Sequence, residues 1–395
     1  MARAPRPAAA RNPATADSLR IVHVFRDPVG GLFRHVRDLC RAQTNGGHQV
    51  GIICDATTGG AFEERLFEEL APDLALGLHR LPMQREIGPS DFATARRVAA
   101  VARTLSPDVL HGHGAKGGAY ARIGGTRLRA SGVRVARIYT PHGGSLHYDR
   151  RGLRNRVYFA AERWLGRRTD GFLFVSRYEA YAFTDKVHKP RVVSDVVPNG
   201  LRPEEYEPIS PAPNARPFVF IGMMRDLKGP DVFIKALAQL HSVGLPVAAH
   251  MVGSGPDRDT YRDLVAALGL GEVVTFHEPM PARDAFPMGK VLVVPSRAES
   301  MPYIVLEAAA AGVPMIATKV GGIPEIFDEQ WKRLVEPGDV EALASAMEEA
   351  LADPQPLLDA TAELRTEVRQ LHTVEVMATA VEALYRAALQ GTPAR

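Results

Sequence analysis

Cysteine is scarce in this sequence, and long apolar runs are missing. The 395 residues include only two cysteines, Cys40 and Cys54, too few for a disulfide scaffold or a structural zinc site rich in cysteine. No stretch approaches the roughly 18 consecutive apolar residues of a membrane-spanning helix. The low cysteine count excludes a disulfide-rich scaffold and favours a reducing cytoplasm.

Net charge is also small, although its distribution is uneven. The formal net charge is +3, but residues 1–200 carry 31 basic and 18 acidic groups, whereas residues 201–395 carry 17 and 27. The first half is therefore a cation and the second an anion. No nucleic-acid-binding module accompanies the basic half, so we expect no nucleic-acid partner.

Short apolar runs alternating with amphipathic stretches are abundant, which is the pattern of parallel sheets joined by crossover helices. The runs predict strands at 20–25, 49–55, 108–114, 133–140, 171–176, 194–200, 218–222, 247–253, 273–276, 291–296 and 314–318. The predicted fold class is α/β, with two doubly wound, Rossmann-like domains facing an interdomain cleft. Ligands of such sheets bind beyond the carboxyl ends of the strands.

Composition sets the expected domain boundaries. Residues 1–18 are rich in Arg, Ala and Pro and predict a disordered leader before a first domain at 19–200. The Pro-rich segment 201–217 predicts a linker to a second domain at 218–372. A last helix is predicted at 373–390.

The stretch ESMPYIVLE places Glu299 and Glu307 around a helix start. A continuous apolar strand precedes it, Ser300 suits a helix cap and Pro302 suits the first turn. The backbone N–H groups of residues 303–305, Ile304 and Val305 included, would face the cleft as an anion site. The alternative is a capped helix with two surface acids.

In this block the sequence resembles the retaining glycosyltransferases of family 4, which have the two-domain fold called GT-B. The resemblance implies that Glu299 contacts the hydroxyls of a nucleotide-bound sugar and that Glu307 contacts the ribose. One departure is Met301-Pro302, where the family commonly has Phe-Gly. The resemblance covers about 20–390 and implies that the last helix crosses back to the first domain.

Two further loops follow strand ends. In IGMMRDLKGPD, Gly222 ends a strand and Arg225 and Lys228 follow, two cations suited to a diphosphate. The segment resembles the family's diphosphate clamp. Gly30-Gly31, after the first strand, is similar to the family's glycine loop beside the donor, although a tight turn explains a lone glycine pair equally well.

Histidines end two strands of the first half. His111-x-His113 invites a zinc site, but no third ligand stands at metal-ligand spacing, so we expect none. The resemblance implies that His113 lies near the transferred sugar, and His142 is predicted on the acceptor side. Gly321-Gly322-x-x-Glu325 resembles the family's loop beside the donor, and Glu325 could equally be a charge in a first helical turn.

Residues 150–168 hold seven arginines interleaved with aromatic residues against one acid, Glu162. A basic amphipathic helix of this kind is typical of an anionic membrane surface, and a core-packed helix with a solvated basic face explains it equally well. With the basic first half, it favours a cytoplasmic enzyme, peripheral on the inner face of the plasma membrane.

The sequence therefore predicts a retaining glycosyltransferase that moves a sugar from a nucleotide-diphosphate sugar to a lipid-linked or polysaccharide acceptor. His113, Arg225, Lys228 and Glu299 would carry catalysis, with no cofactor and no metal. Two alternatives stay open. One is a nucleotide-sugar epimerase of the same fold, and the other is a non-catalytic nucleotide-sugar-binding protein.

Overall fold

The computed structural model describes residues 17–147, 152–245, 247–327 and 334–392. The predicted leader lies outside the described residues, apart from its last two positions. The described chain forms two parallel sheets, each covered by helices, so the predicted α/β class with two doubly wound sheets is confirmed.

Seven strands form the first sheet, in the order β3-β2-β1-β4-β5-β6-β7. They are β1 (Arg20–Phe25), β2 (Gln49–Asp55), β3 (Gly77–Leu81), β4 (Val109–His113), β5 (Ala136–Thr140), β6 (Gly171–Phe174) and β7 (Val193–Val196). Their connections contain α1 (Gly30–Asn45), α2 (Ala61–Leu70), α3 (Ser90–Leu105), α4 (Gly114–Ala130), α5 (Leu153–Gly166) and α6 (Arg177–Lys186). Every residue of β4, β5 and β6 is buried, as expected for strands covered on both faces.

Five strands form the second sheet, in the order β10-β9-β8-β11-β12. They are β8 (Arg216–Ile221), β9 (Ala249–Val252), β10 (Val274–His277), β11 (Gly289–Val294) and β12 (Met315–Ala317). The helices of this half are α7 (Pro230–Ser242), α8 (Arg258–Ala267), α9 (Ala282–Ala285), α10 (Tyr303–Ala311), α11 (Ile323–Ile326), α12 (Val340–Ala352) and α13 (Gln355–Leu371).

The strand order reverses at one place in each sheet. In the first sheet β1 lies between β2 and β4, and in the second β8 lies between β9 and β11. Connections leave in opposite directions at such a point, which opens a crevice beyond the strand ends. The segments after β1, β4, β8 and β11 are therefore the ones that can meet a ligand.

The last helix, α14 (Val374–Gln390), packs against the first sheet although it follows the second in the chain. Its residues Met377, Val381 and Tyr385 are buried with Ile21 and Val109 in one apolar cluster. The core of the first half thus includes the end of the chain, and removing α14 would expose that core.

Two features differ from the sequence prediction. Strand β3 was not predicted, because GLHRL is a half-buried edge strand whose apolar run is interrupted by His79 and Arg80. The predicted linker contains local structure that the sequence did not indicate, since Glu205 and Tyr206 form a short buried turn within it. That turn contributes a carboxylate to the site described next.

Candidate active site

A cavity of roughly 1630 Å³ lies at the carboxyl ends of both sheets, where the strand orders reverse. Its lining includes ten of the twelve site residues that the sequence predicts: Gly30, Gly31, His113, His142, Gly222, Arg225, Lys228, Glu299, Ile304 and Glu307. The other two, Val305 and Glu325, do not line it. Both halves of the chain therefore contribute to one concave site.

Glu299 is buried in the loop after β11, at 7% exposure. Lys228 Nζ donates a hydrogen bond to Glu299 Oε1 at 2.6 Å, and Ser296 Oγ donates to the same oxygen at 2.7 Å. Oε2 accepts no hydrogen bond from another described residue. The sequence predicted both residues at the site, and the structure joins them into one charged pair at the cavity wall.

A close backbone approach positions Lys228. Lys228 ends a short turn after β8, and Gly229 follows it with φ +65°. A Cβ at Gly229 would lie 2.1 Å from the carbonyl oxygen of Pro295, so only glycine fits. The loops after β8 and β11 are thereby held together, which brings the ammonium of Lys228 to Glu299.

Helix α10 presents its N-terminus to the cavity. The N-cap residue is Pro302 with extended backbone, and the expected Ser300 cap is wrong, because no side chain caps this helix. The first helical N–H groups, those of Tyr303, Ile304 and Val305, have no partner in the helix, and the positive end of the helix dipole lies there. The side chain of Ile304 lines the cavity, whereas that of Val305 is fully buried.

The glycine loop of the first half faces α10. Gly30 has φ +61°, and a Cβ at Gly31 would lie 3.5 Å from Cδ2 of Tyr303. The backbone after β1 thus lies against the start of α10. This contact places the two halves of the cavity wall side by side.

Glu307 is 13% exposed and forms an ion pair with Arg34 of α1. Arg34 also binds both oxygens of Glu205 at 2.6 Å, and its guanidinium lies 4.2 Å from the ring centre of Tyr303. Burial raises the pKa of the Glu307 carboxyl, whereas Arg34 acts to lower it. The residue predicted for ribose binding therefore also holds the two halves of the molecule together.

Glu325 holds the halves together at a second place. Its carboxylate accepts hydrogen bonds from the backbone N–H groups of Arg177 and Tyr178, at 2.8 and 2.7 Å. These residues form the first turn of α6, so Glu325 satisfies two unpaired donors at a helix start. It lies away from the cavity, and its carboxylate is engaged across the interface.

Five histidines cluster beneath the first half of the cavity, and the premise that no third metal ligand exists near His111 and His113 is wrong. Ring nitrogens of His23, His111 and His113 lie within 4.8 Å of one another, as do those of His35, His113 and His142. Strand pairing explains the grouping, since His23 lies beside His111 in neighbouring strands. Either group of three histidines could bind a metal ion, although hydrogen bonds already join several of these nitrogens.

The predicted basic helix is α5, and residues 150–151 of the segment lie outside the described residues. Its single acid, Glu162, is buried and pairs with the fully buried Arg122 at 2.9 Å. Trp164 is 47% exposed at the rim of the cavity, and Arg168 lies 3.7 Å from its ring centre. The helix therefore has one face in the core and one that carries cations and an exposed aromatic ring.

Sequence reasoning missed several site residues. Arg34 lies four residues after Gly30 on α1, a spacing that places both on the same side of the helix. This spacing was a signal that Arg34 lies near the glycine loop. Glu205 gave no signal, because a Pro-rich segment has no period that places its side chains. Gln43 and Tyr385, which contact the histidine cluster, fit helical core patterns and give no other sign of a role.

Known families match the chain on both sides of the linker. The family described as Glycosyltransferase Family 4 matches residues 29–205, and the family described as Glycosyl transferases group 1 matches residues 215–353. Together the two matches include every residue of the predicted site. The chain belongs to family 4 of the glycosyltransferases, with the GT-B fold.

Curated relatives resemble part of the chain. A GDP-mannose-dependent alpha-(1-6)-phosphatidylinositol monomannoside mannosyltransferase of Mycolicibacterium smegmatis is 30% identical over 219 residues, which cover 49% of this chain and 56% of the relative. A D-inositol 3-phosphate glycosyltransferase of Arthrobacter is 33% identical over 188 residues, covering 46% of this chain and 45% of the relative. The matches thus span about half the length of these relatives.

Solved structures share the fold over nearly the whole chain. Anabaena HepE in complex with UDP and glucose superposes with a TM-score of 0.75 at 18% identity, covering 92% of this chain and 98% of HepE. Sucrose-phosphate synthase from Thermosynechococcus elongatus has a TM-score of 0.76 at 21% identity, with coverages of 94% and 99%. These likenesses establish the two-domain architecture.

Within the described ranges, no helix combines the length and the apolar character that crossing a membrane requires.

Proposed function

We propose that the protein is a retaining glycosyltransferase that binds a nucleotide-diphosphate sugar on the second sheet and a hydroxyl-bearing acceptor on the first. The observation that carries the proposal is the Lys228–Glu299 pair beside the N-terminus of α10. A cation and helix N–H groups suit a diphosphate, and a buried carboxylate suits sugar hydroxyls. One wall of the cavity thus offers both kinds of contact.

The second-half wall of the cavity supplies positive charge through its own side chains and the N-terminus of α10. Arg225 lines the cavity, and no carboxylate of the described residues pairs with its guanidinium. Arg225, Lys228 and the positive end of α10 would together stabilise the negative charge that develops on the leaving diphosphate. We therefore infer metal-independent transfer.

The resemblance to family 4 implies retention of the anomeric configuration. Glu299, expected at the sugar, pairs with Lys228, and Glu307, expected at the ribose, pairs with Arg34, so neither carboxylate is a free nucleophile. We infer same-face displacement: the bond from the anomeric carbon to the phosphate oxygen breaks, and the bond to the acceptor oxygen forms on the same face. The acceptor proton passes to the departing phosphate oxygen, so catalysis consists chiefly of positioning and charge stabilisation.

The first-half wall suits an amphiphilic acceptor. Arg85, Lys116 and Arg127 line the cavity together with the exposed Ile87 and Phe92, which are 55% and 76% exposed. Cations beside apolar side chains fit a phosphate attached to a lipid. Because the two curated relatives above are named for acceptors that contain a phosphate, we propose a membrane-associated glycolipid, or a growing polysaccharide, as acceptor.

Thermal stabilisation tests the donor site. Each of UDP, GDP, ADP and NAD would be added at millimolar concentration, with and without EDTA, because binding to the native state raises the melting temperature. We expect one nucleoside diphosphate to act, EDTA to leave its shift intact and Glu307→Ala to reduce it. A response to NAD alone, or to none of them, would contradict the proposal.

Turnover separates the enzyme from its alternatives. Release of a nucleoside diphosphate that depends on an added glycolipid or polysaccharide acceptor supports the transferase. A changed nucleotide sugar formed without acceptor would instead support an epimerase, and binding without any turnover would support a non-catalytic protein.

Vesicle sedimentation tests the membrane proposal. If the protein is peripheral on the cytoplasmic leaflet, it should bind vesicles with anionic lipid at low salt and lose binding as salt rises, because exposed charges are screened. Equal partition onto neutral and anionic vesicles would oppose the proposal.

A further inference from the structure

A line of hydrogen bonds crosses the first half from the last helix to the cavity. It begins at Tyr385 of α14, passes through Gln43 of α1, and continues through His23 within β1 and His113 at the end of β4. It ends at His142, which lines the cavity and has φ +51°. The C-terminal helix is thereby connected to the cavity wall through buried side chains.

The direction of the line follows from the single proton of the Tyr385 hydroxyl. The Tyr385 oxygen lies 2.6 Å from Nδ1 of His111 and 3.4 Å from the amide nitrogen of Gln43. An amide nitrogen can only donate, so the Tyr385 oxygen accepts from Gln43 and its single proton goes to His111 Nδ1. The other end of the amide, its oxygen, faces His23.

His111 agrees with this assignment. With Nδ1 accepting from Tyr385, its proton is on Nε2, which lies 2.8 Å from the hydroxyl of Thr140. Burial lowers the pKa of His111 well below its usual value, so the ring is neutral and has one proton. Both nitrogens of His111 are therefore satisfied in one arrangement.

The orientation of Gln43 then fixes three rings in turn. His23 Nε2 donates to the Gln43 oxygen at 2.9 Å, so His23 Nδ1 accepts from His113 Nε2, also at 2.9 Å. His113 Nδ1 accepts from His142 Nε2 at 3.0 Å. Since burial lowers the pKa of His23 to about 4 and those of His113 and His142 well below their usual value, each ring has one proton.

We infer that Gln43 and Tyr385 are positioning residues, which hold His142 in the tautomer whose Nδ1 accepts a hydrogen bond from a substrate hydroxyl at the cavity. If the amide of Gln43 were reversed, every bond in the line would reverse and His142 would present an N–H donor instead. The inference rests on the proposed function for the identity of that hydroxyl, on the sugar or on the acceptor.

The tautomers can be measured directly in the intact protein. Two-bond ¹H–¹⁵N spectra of protein labelled in histidine distinguish a protonated Nε2 from a protonated Nδ1 on each ring, with no turnover required. We expect Nε2–H tautomers at His23, His113 and His142 at neutral pH. His250 and His277, joined at 2.9 Å in the second sheet, serve as an internal reference pair.

Two variants test the positioning role. Tyr385→Phe removes the hydroxyl that orients Gln43, and Gln43→Leu removes the acceptor of His23. In each we expect mixed tautomers at His142 and a kcat/KM lowered about 3- to 10-fold, the size of one lost neutral hydrogen bond. The reference pair should not change.

Tyr206→Phe is the matched control, because Tyr206 also donates a buried hydrogen bond at 2.6 Å. Its acceptor is the backbone carbonyl of His372, which does not belong to the five-histidine cluster. It should leave the tautomers and kcat/KM unchanged. A protonated Nδ1 or an imidazolium at His142 of the unaltered protein, or one tightly bound metal ion per chain, would overturn the inference. Failure of nucleoside diphosphates to stabilise the protein would instead count against the proposed function.

Discussion

Arg34 of the first half and Glu307 of the second form an ion pair although 273 positions separate them in the chain. Glu205 and Asp38 contact the same guanidinium, so one cation pairs with three carboxylates in a largely buried place. A donor whose ribose binds Glu307 has to share that carboxylate with Arg34. Under the proposed function, donor binding and the contact between the two halves would thereby be linked.

Arg34→Met should destabilise the protein strongly. The change leaves Glu205 and Glu307 buried without their shared cation, and breaking a buried pair from one side costs about 3–5 kcal/mol. Urea unfolding measures the loss. Arg258→Met is the control, since its partner Glu278 is 75% exposed and such pairs contribute about 0–1 kcal/mol. Equal losses in the two variants would contradict the role given to Arg34.

Lys228→Met should weaken donor binding more than it weakens the fold. The ammonium is about one-third exposed, and Glu299 keeps its hydrogen bond from Ser296, so the variant should fold. Loss of a charge-assisted contact to a diphosphate should raise the Kd of the nucleoside diphosphate by about 10- to 100-fold. Isothermal titration calorimetry measures it, and Lys235→Met, on the outer face of α7, should bind as the unaltered protein does.

The strand-to-loop pattern was enough to predict which segments meet at the cavity. Glu299, Lys228 and Gly30 each follow an apolar strand, and the carboxyl ends of parallel strands share one edge, so local sequence identifies these residues. The partner of Glu307 was not predictable in this way. Arg34 reaches Glu307 only because the two sheets face each other at one particular distance, which no local pattern encodes.

The histidines show the same limit on a smaller scale. The H-x-H spacing on β4 suggested two ligands of one metal ion. Because the neighbouring sequence offers no third ligand at metal-ligand spacing, the sequence predicted no metal site. His23 joins them through the parallel pairing of β1 with β4, and His35 through the packing of α1. Sheet register, which sequence spacing does not give, determines this cluster.

Gly321→Ala should disrupt the loop that holds Glu299. Gly321 has φ +58°, and an added Cβ would lie 1.7 Å from the carbonyl oxygen of Glu299. We expect a loss of about 3 kcal/mol or more in the free energy of unfolding, with loss of donor binding, because backbone must move. Gly269→Ala is matched in conformation, at φ +70° with no atom within 4 Å, and should cost only about 1 kcal/mol. Similar losses in both would show that conformation alone, and not the contact, matters at Gly321.

Glu325→Ala should separate an interface role from a donor-binding role. The variant leaves the N–H groups of Arg177 and Tyr178 without their acceptor, which should cost about 1–2 kcal/mol of stability, as loss of a helix cap does. Glu325 does not line the cavity, so its loss should change the Kd of the nucleoside diphosphate less than about threefold. Calorimetry measures both the stability and the Kd of the nucleoside diphosphate. A large loss of affinity with unchanged stability would support the donor-binding role implied by the family resemblance.

The buried histidines should make the protein sensitive to acid. Burial lowers the pKa of His35 from 6.5 to about 4, and that of His23 similarly, so below pH 6.5 the unfolded chain binds protons that the native state does not. Stability is therefore full above pH 6.5 and is lost as pH falls toward 4, at roughly 1.4 kcal/mol per pH unit for each such proton. Glu179 acts in the opposite sense, because burial raises its pKa to about 7 and the native state keeps that proton between pH 4.5 and 7.

A single replacement isolates one histidine from this sum: the stability difference between the unaltered protein and His35→Gln should shrink by roughly 1.4 kcal/mol per pH unit below pH 6.5. His241→Gln, at an exposed position on α7, controls for the substitution itself, and urea unfolding at several pH values measures both variants. A constant difference for His35→Gln would mean that the native state already carries that proton.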